Sequence, residues 1–251
     1  MKLYSELAEY YFAIEKHHRN INDDIIFIKS LIGINNSDIS ILDIGCGTGE
    51  HLGILSKNGA RCVGLDISPE MLAIAQNRFP ENISFIQSDM RDFDYYEEFD
   101  LVLSLFGSMN YMIEDSDLEQ VLWNIWRAMK PGGTGIIEIW HNLPVQKIKK
   151  KEPASVSQTK CNDLVIDRKR GFSLLPFQDR TVVEVNYTYD LAGGNVSKII
   201  RDRHIMRSFS KTEITRFLNE SGFSVKAIYA NFRKELFDQN SARMIIVFTK
   251  D

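Results

Sequence analysis

Cysteine, basic charge and long apolar runs are all scarce in this chain, and each scarcity narrows what it can be. The 251 residues include three cysteines, Cys46, Cys62 and Cys161. They form neither a paired framework nor a close metal-ligand spacing. The expected setting is a reducing, cytoplasmic one with no bound metal. Lys and Arg number 30 against 34 Asp and Glu, a formal net charge of -4, and no basic arm or tail stands out. Nucleic acid is therefore not expected as a partner. No apolar run approaches the roughly 20 residues that a membrane span needs. The amino terminus is polar and aromatic, unlike a secretory signal. No membrane association is expected.

What the chain does have is 44% apolar residues. That is enough for one large domain, or for one domain with a smaller lobe. Its organising stretch is Ile39-Ser40-Ile41-Leu42-Asp43-Ile44-Gly45-Cys46-Gly47-Thr48-Gly49. A continuous apolar run suits a strand buried on both faces. The glycines after it let the backbone turn tightly and approach a ligand at the carboxyl edge of a sheet. The spacing is not G-x-G-x-x-G, and no Gly-Lys-Ser/Thr follows, so neither dinucleotide nor P-loop chemistry is indicated. An acid two places before the first glycine suits a ligand bearing an ammonium group.

Strand and helix then alternate. Strands are expected over 61–66, 83–87, 99–105 and 135–139, with helices over 48–57, 69–78 and 117–129. The pattern predicts a mainly parallel, doubly wound sheet. Ser68-Pro69-Glu70 and the Ser210/Glu213 pair read as helix starts. Residues 1–32 read as helical, ended by a turn at Asn35, Asn36 and Ser37, with His17 and His18 as exposed helix residues. Tyr4, Tyr10 and Tyr11 read either as core packing or as a cap closing over a pocket. Residues 145–160 are rich in lysine, serine and proline and read as a loop, with Lys147, Lys149, Lys150 and Lys151 on the surface. An antiparallel meander follows, with strands over 164–170, 181–190 and 197–206. Strands over 224–229 and 243–249 close the chain as an antiparallel hairpin. The expected domains are a body of residues 1–141 and 208–251 and an inserted antiparallel lobe of residues 142–207, for substrate binding or dimer contact.

Acids stand at three strand ends. Asp43 precedes the glycine turn. Asp66 lies 21 residues after Gly45 and can accept both hydroxyls of a ribose. Asp89 can accept from an exocyclic amine, while Met90 packs on a flat base. Together they predict a nucleoside-containing ligand.

These motifs resemble those of class I S-adenosylmethionine-dependent methyltransferases. The resemblance implies an α/β, Rossmann-like, mainly parallel seven-stranded sheet flanked by helices, with a small antiparallel β insertion after strand 5. It implies S-adenosyl-L-methionine as cofactor. Asp43, Gly45, Cys46 and Gly47 would hold its methionine part, Asp66 the ribose, with Ile67 beside the adenine. Asp89, Met90 and Arg91 would recognise adenine, with Met71, Leu105 and Phe106 completing the site. The Lys130-Pro131-Gly132-Gly133 turn is another feature of that family. Asp89 to Phe93, Ser104 to Tyr111, Glu138 to His141, and Glu184 to Thr188 leading to Asp202-Arg203-His204 further resemble nucleotide-linked aminosugar N,N-dimethyltransferases. That implies a thymidine-diphosphate-linked sugar as acceptor and a homodimer. The segments 142–160 and 229–241 depart from those relatives, so a glycine-type or other small-amine N-methyltransferase is equally compatible.

An amine acceptor must be unprotonated to attack. The candidates for proton acceptance are His141, Tyr11, Glu138 and His204, with His141 first. Arg168, Arg170, Arg180, Arg201 and Arg203 are candidates for a diphosphate, since forked donors suit phosphate oxygens. The alternatives are a small-metabolite O-methyltransferase and a non-catalytic S-adenosylmethionine sensor. RNA substrates fit less well, because they would favour a basic surface or an attached binding module, and protein substrates fit less well, because the chain has Ser104-Leu105-Phe106-Gly107 where an Asn/Asp-Pro-Pro-Tyr turn would mark glutamine methylation.

Overall fold

The amino-terminal segment folds in pieces rather than as one helical run. Turns of 3₁₀ helix at Lys2–Tyr4 and Ala8–Tyr10 precede α1 (Tyr11–Glu15) and α2 (Ile21–Ile32). Tertiary partners take over the backbone groups that a continuous helix would use. The Leu3 N–H donates to Asp202 Oδ2 at 2.8 Å, and the Ser68 hydroxyl donates to the Tyr4 carbonyl at 2.6 Å. Leu3 and Leu7 are buried in the core beneath the inserted sheet. This computed structural model describes residues 1–16, 19–32, 38–148, 150–177 and 179–251. The expectations for His17, His18, Asn35, Asn36, Ser37 and Lys149 fall outside the described residues.

The alternating region follows its sequence pattern closely. It runs β1 (Ser40–Ile44), α3 (Glu50–Leu55), β2 (Arg61–Asp66), α4 (Pro69–Arg78), β3 (Ile83–Gln87), β4 (Phe99–Ser104), α5 (Asp115–Ala128) and β5 (Met129–Trp140). All five residues of β1 are buried, as a strand covered on both faces requires. Ser68 caps α4 by accepting from the Met71 N–H at 3.2 Å. The Lys-Pro-Gly-Gly turn proves to be the first part of β5.

After β5 comes α6 (Asn142–Ile148), then β6 (Lys150–Cys161), β7 (Leu164–Leu175), β8 (Thr181–Gly193) and β9 (Val196–Ser208). These four strands form one antiparallel sheet in that order. The expected loop at 145–160 is thus a short helix and an edge strand. Backbone pairing to β7 makes β6 a strand, with register shifts at Lys151/Ala154 and Ser155/Ser157. Most of its side chains face solvent, so no apolar alternation marks it in the sequence. Pro153 is tolerated at the irregular edge.

The chain closes with α7 (Lys211–Glu220), β10 (Phe223–Tyr229) and β11 (Arg243–Lys250). Ser210 and Glu213 make the expected capping box. The main sheet has the order β10-β11-β5-β4-β1-β2-β3, parallel from β5 to β3, with β11 antiparallel to both of its neighbours. Helices α5 and α7 cover one face through Leu118, Val121, Leu122, Ile214 and Phe217. Helices α2, α3 and α4 cover the other through Phe27, Ile28, Leu52 and Leu72. Strand order reverses between β1 and β4, which opens a crevice at their carboxyl ends.

Candidate active site

The crevice begins at the glycine turn. Gly45, Gly47 and Gly49 have φ of +74°, +57° and +80°, a region where side chains are strained. The Gly45 and Cys46 N–H groups both donate to the Leu65 carbonyl, at 2.8 and 2.9 Å. The turn is thereby stitched to the end of β2. There Asp66 accepts from the Gly47 N–H and the Ser68 N–H, each at 2.9 Å. A Cβ on Gly45 would lie 2.4 Å from Ser108 Oγ. Burial pushes the Asp66 carboxyl up, opposed by the amides it accepts.

A cavity of about 290 Å³ lies over this turn. Asp43, Gly45, Cys46 and Gly47 form its floor. Asp66, Ile67 and Met71, Asp89, Met90 and Arg91, and Leu105 and Phe106 also line it. Asp43 is 2% exposed. Burial pushes its carboxyl up to about 6, with His51 and Arg19 opposing and Asp66 adding to the rise. Arg91 grips Asp89 with two bonds, Nε to Oδ1 at 3.0 Å and Nη2 to Oδ2 at 2.7 Å, and this holds the Asp89 carboxyl below its usual range. Acids at three strand ends can accept from hydroxyl and amino groups, while Met71 and Met90 offer apolar faces. Burial also raises the Cys46 thiol well above its usual value.

A second cavity, about 340 Å³, adjoins the first beneath the inserted sheet. Tyr4, Tyr11, Glu15, Arg19, Phe106 and Tyr111 line both. Glu138, His204, Arg168 and Arg170 line the second alone. His141 lines neither; it is buried against Phe237, with Nδ1 2.8 Å from the Ser241 carbonyl. The structure thus brings Tyr11, Glu138 and His204 together and leaves His141 outside. The cause is local: a bridge to Phe209 and the β11 loop turn the chain away just beyond β5.

Glu138 has no free oxygen. It pairs with Arg19 and Arg243 and accepts from the Phe106 N–H at 2.9 Å. Burial alone would raise its carboxyl; the two arginines and the amide outweigh burial and hold it low. Arg19, which sequence reading missed, lies against the rings of Phe106 and Phe232 and pairs with both Asp24 and Glu138. Asp24 also meets His51 at 3.0 Å. No motif marks Arg19, because its partners come from α2 and β5. Among the inserted-sheet arginines, Arg168 pairs with Glu15 at 3.0 Å and lies over Tyr187. Arg170 lies over Phe172 and has no carboxylate partner among the described residues. Arg180 turns to Glu114 and Asp115, Arg203 turns to Glu184, and Arg201 is exposed.

Among the described residues, no group of three His, Cys, Asp or Glu side chains could hold a metal ion, and no helix is long and apolar enough to cross a membrane.

Known proteins share parts of this chain's sequence and its fold. The family described as a methyltransferase domain matches residues 41–133, ending before the inserted sheet. A dTDP-4-amino-2,3,4,6-tetradeoxy-D-glucose N,N-dimethyltransferase of Saccharopolyspora spinosa is 41% identical over 101 residues, 40% of each chain. A solved S-adenosylmethionine-dependent methyltransferase from Clostridium acetobutylicum is similar over 98% of both chains, with a TM-score of 0.81 at 19% identity. An amino pentose methyltransferase from Micromonospora echinaspora is similar over 96% of both chains, with a TM-score of 0.75 at 20% identity.

Proposed function

We propose that this chain is a class I S-adenosylmethionine-dependent methyltransferase and that it methylates a small-molecule amine. The observation that carries the proposal is the pair of adjoining cavities. One is built from the glycine turn and three strand-end acids, and the other is lined by tyrosines, His204 and arginines.

The residues present fit the cofactor. Glycine at 45 and 47 keeps the cradle open; a Cβ at Gly47 would stand 3.3 Å from Met71 Cε and 3.7 Å from Tyr11. Asp43 and the turn would hold the methionine part, Asp66 the ribose, and Asp89 with Met90 the adenine. When bound, S-adenosylmethionine supplies a sulfonium-activated methyl group. The chain's own task is to align the acceptor nitrogen, exclude water and take its proton, so positioning is most of the catalysis. Phe106, Tyr4 and Tyr11 wall the junction between the cavities. In this reading residues 142–207 form the acceptor-side lobe on a body of residues 1–141 and 208–251.

The finer proposal is that the acceptor is an aminosugar carried on a nucleotide. Three of the four arginines lining the second cavity have carboxylate partners, and Arg170 has none among the described residues. An anionic group on the acceptor would complement it. The relatives named for aminosugar methylation support the same reading.

The test is a mass-resolved methyl-transfer assay with labelled S-adenosylmethionine on two pools, nucleotide-linked aminosugars and free small amines. Gain of one or two methyl groups on an aminosugar nucleotide is the expected result. Turnover of free amines alone would remove the nucleotide. Turnover only of carboxylates or hydroxyls, or cofactor binding with no turnover, would overturn amine methylation.

A further inference from the structure

We propose that Tyr4, Tyr111, His204 and Asp202 form a proton relay that deprotonates the acceptor amine, with Tyr4 as the group that meets it. The inference rests on the amine-methylation reading and adds where the proton goes.

Four side chains from three distant segments join in one line. Tyr4 Oη is 3.0 Å from Tyr111 Oη, Tyr111 Oη is 2.5 Å from His204 Nδ1, and His204 Nε2 is 3.0 Å from Asp202 Oδ2. Asp202 and His204 are two residues apart on β9, so both point to the buried face, at 7% and 2% exposure. Asp202 is a carboxylate that also accepts the Leu3 N–H. Burial would raise it, but His204 and the backbone amides of Leu3 and Lys2 bring it to about 2.

The direction of each donor follows once His204 is neutral, as a proton acceptor must be. An ionised Asp202 can only accept, so in the relay's resting state a neutral His204 carries its single proton on Nε2 and offers a lone pair at Nδ1. Tyr111 must then donate to Nδ1. Its oxygen is left to accept from Tyr4, and the Tyr4 oxygen is left to accept from whatever enters the cavities. Tyr4 and Tyr111 line both cavities, His204 lines the second, and Asp202 lines neither. The line therefore starts at the junction and ends in the protein interior.

The transfer balances without a co-reactant. The N–H bond of the acceptor ammonium breaks, and its proton binds Tyr4 Oη. The Tyr4 proton passes to Tyr111, and the Tyr111 proton passes to His204 Nδ1. The result is an imidazolium beside the Asp202 carboxylate and a neutral amine with a free lone pair. Neither phenol ends as an anion. That matters because burial raises the pKa of Tyr4 and Tyr111 well above the ordinary phenol value. His204 returns the proton to water once product leaves.

The site is held in place beforehand. The Ser68 hydroxyl fixes the Tyr4 carbonyl, and Asp202 fixes the preceding amide. The groups around the imidazole are Tyr4 from the amino-terminal turn, Tyr111 from the turn after β4, Tyr187 from β8 and Asp202 from its own strand. Arg168 lies over Tyr187 and is paired with Glu15.

The test compares wild type with Tyr4→Phe, Tyr111→Phe, His204→Gln and Asp202→Asn on the best amine substrate. It reads kcat against pH, cofactor affinity by calorimetry, and the His204 tautomer by nitrogen NMR. Tyr4→Phe and His204→Gln should each lower kcat about a hundredfold or more, with cofactor affinity within about twofold. The variants should regain rate steadily as pH rises, because only amine already deprotonated in solution can then react. The wild-type imidazole should be protonated on Nε2. If Tyr111→Phe or His204→Gln keeps the wild-type kcat and pH profile, or if NMR places the proton on Nδ1, the relay is wrong and amine methylation stands. If the wild type methylates no amine, the functional reading falls first and the relay with it.

Discussion

Replacing Asp43 with asparagine should make the protein more stable and less able to bind its cofactor. An ordinary aspartate titrates at 3.8, whereas burial carries Asp43 to about 6. Its folded-state pKa is therefore above its unfolded one. The folded protein holds this proton more tightly, so the stability it contributes is fully present below about pH 4 and is lost as pH rises through about 6. A shift of about two units corresponds to about 3 kcal/mol. Asparagine is never ionised and carries no such slope. Urea unfolding of both proteins at about pH 4 and about pH 8 isolates the effect, because every other titrating group is common to the two. The stability difference, variant minus wild type, should grow by about 2–3 kcal/mol between those pH values. Calorimetry at the higher pH should show cofactor affinity reduced by about tenfold or more, the loss of one charge-assisted contact. Parallel pH curves would refute the argument, since they would mean that Asp43 bears no desolvation cost. A variant that binds cofactor as well as wild type would refute the assignment of Asp43 to the ammonium-bearing end.

Other expectations follow from the same geometry. Glu138→Ala leaves the buried Arg19 with only Asp24 and the Phe106 N–H without its acceptor; a loss of about 3–5 kcal/mol is expected, and a thermal melt should fall by roughly 6–20 °C. Arg243→Met, at the 42% exposed end of the same cluster, should cost no more than about 1 kcal/mol. Gly45→Ala forces a Cβ to 2.4 Å from Ser108 Oγ at a positive φ; it should lower stability by about 1–3 kcal/mol and weaken cofactor binding measurably by calorimetry. Arg170→Gln should raise KM for a phosphate-bearing acceptor by roughly 10- to 100-fold while cofactor affinity stays unchanged. His141→Gln should leave kcat within about tenfold of wild type, well short of what loss of a general base costs.

The sheet was legible in the sequence because its central strands are buried on both faces. Ile41 to Ile44 and Phe99 to Leu103 declare themselves as apolar runs, and Ser68, Gly59 and Ser210 punctuate the helices. The glycine turn and the three acids were legible as well, because local spacing puts them at strand ends. β6 was not, since an edge strand is made by backbone pairing and its side chains can be polar. Arg19 and Tyr111 were not, since their roles depend on partners over 90 residues away in the chain. His141 misled because lying next to a strand end does not fix a side chain's direction; the bridge to Phe209 turns it inward.

The first four residues fasten two parts of the molecule together. The Tyr4 carbonyl is held by Ser68, next to the acid that ends β2, and the Leu3 amide is held by Asp202 on the inserted sheet. If filling one cavity settles this segment, the other cavity gains by it, and equilibrium then demands that the influence be mutual. Whatever factor the cofactor adds to the acceptor's affinity by settling this segment, the acceptor returns to the cofactor in equal measure.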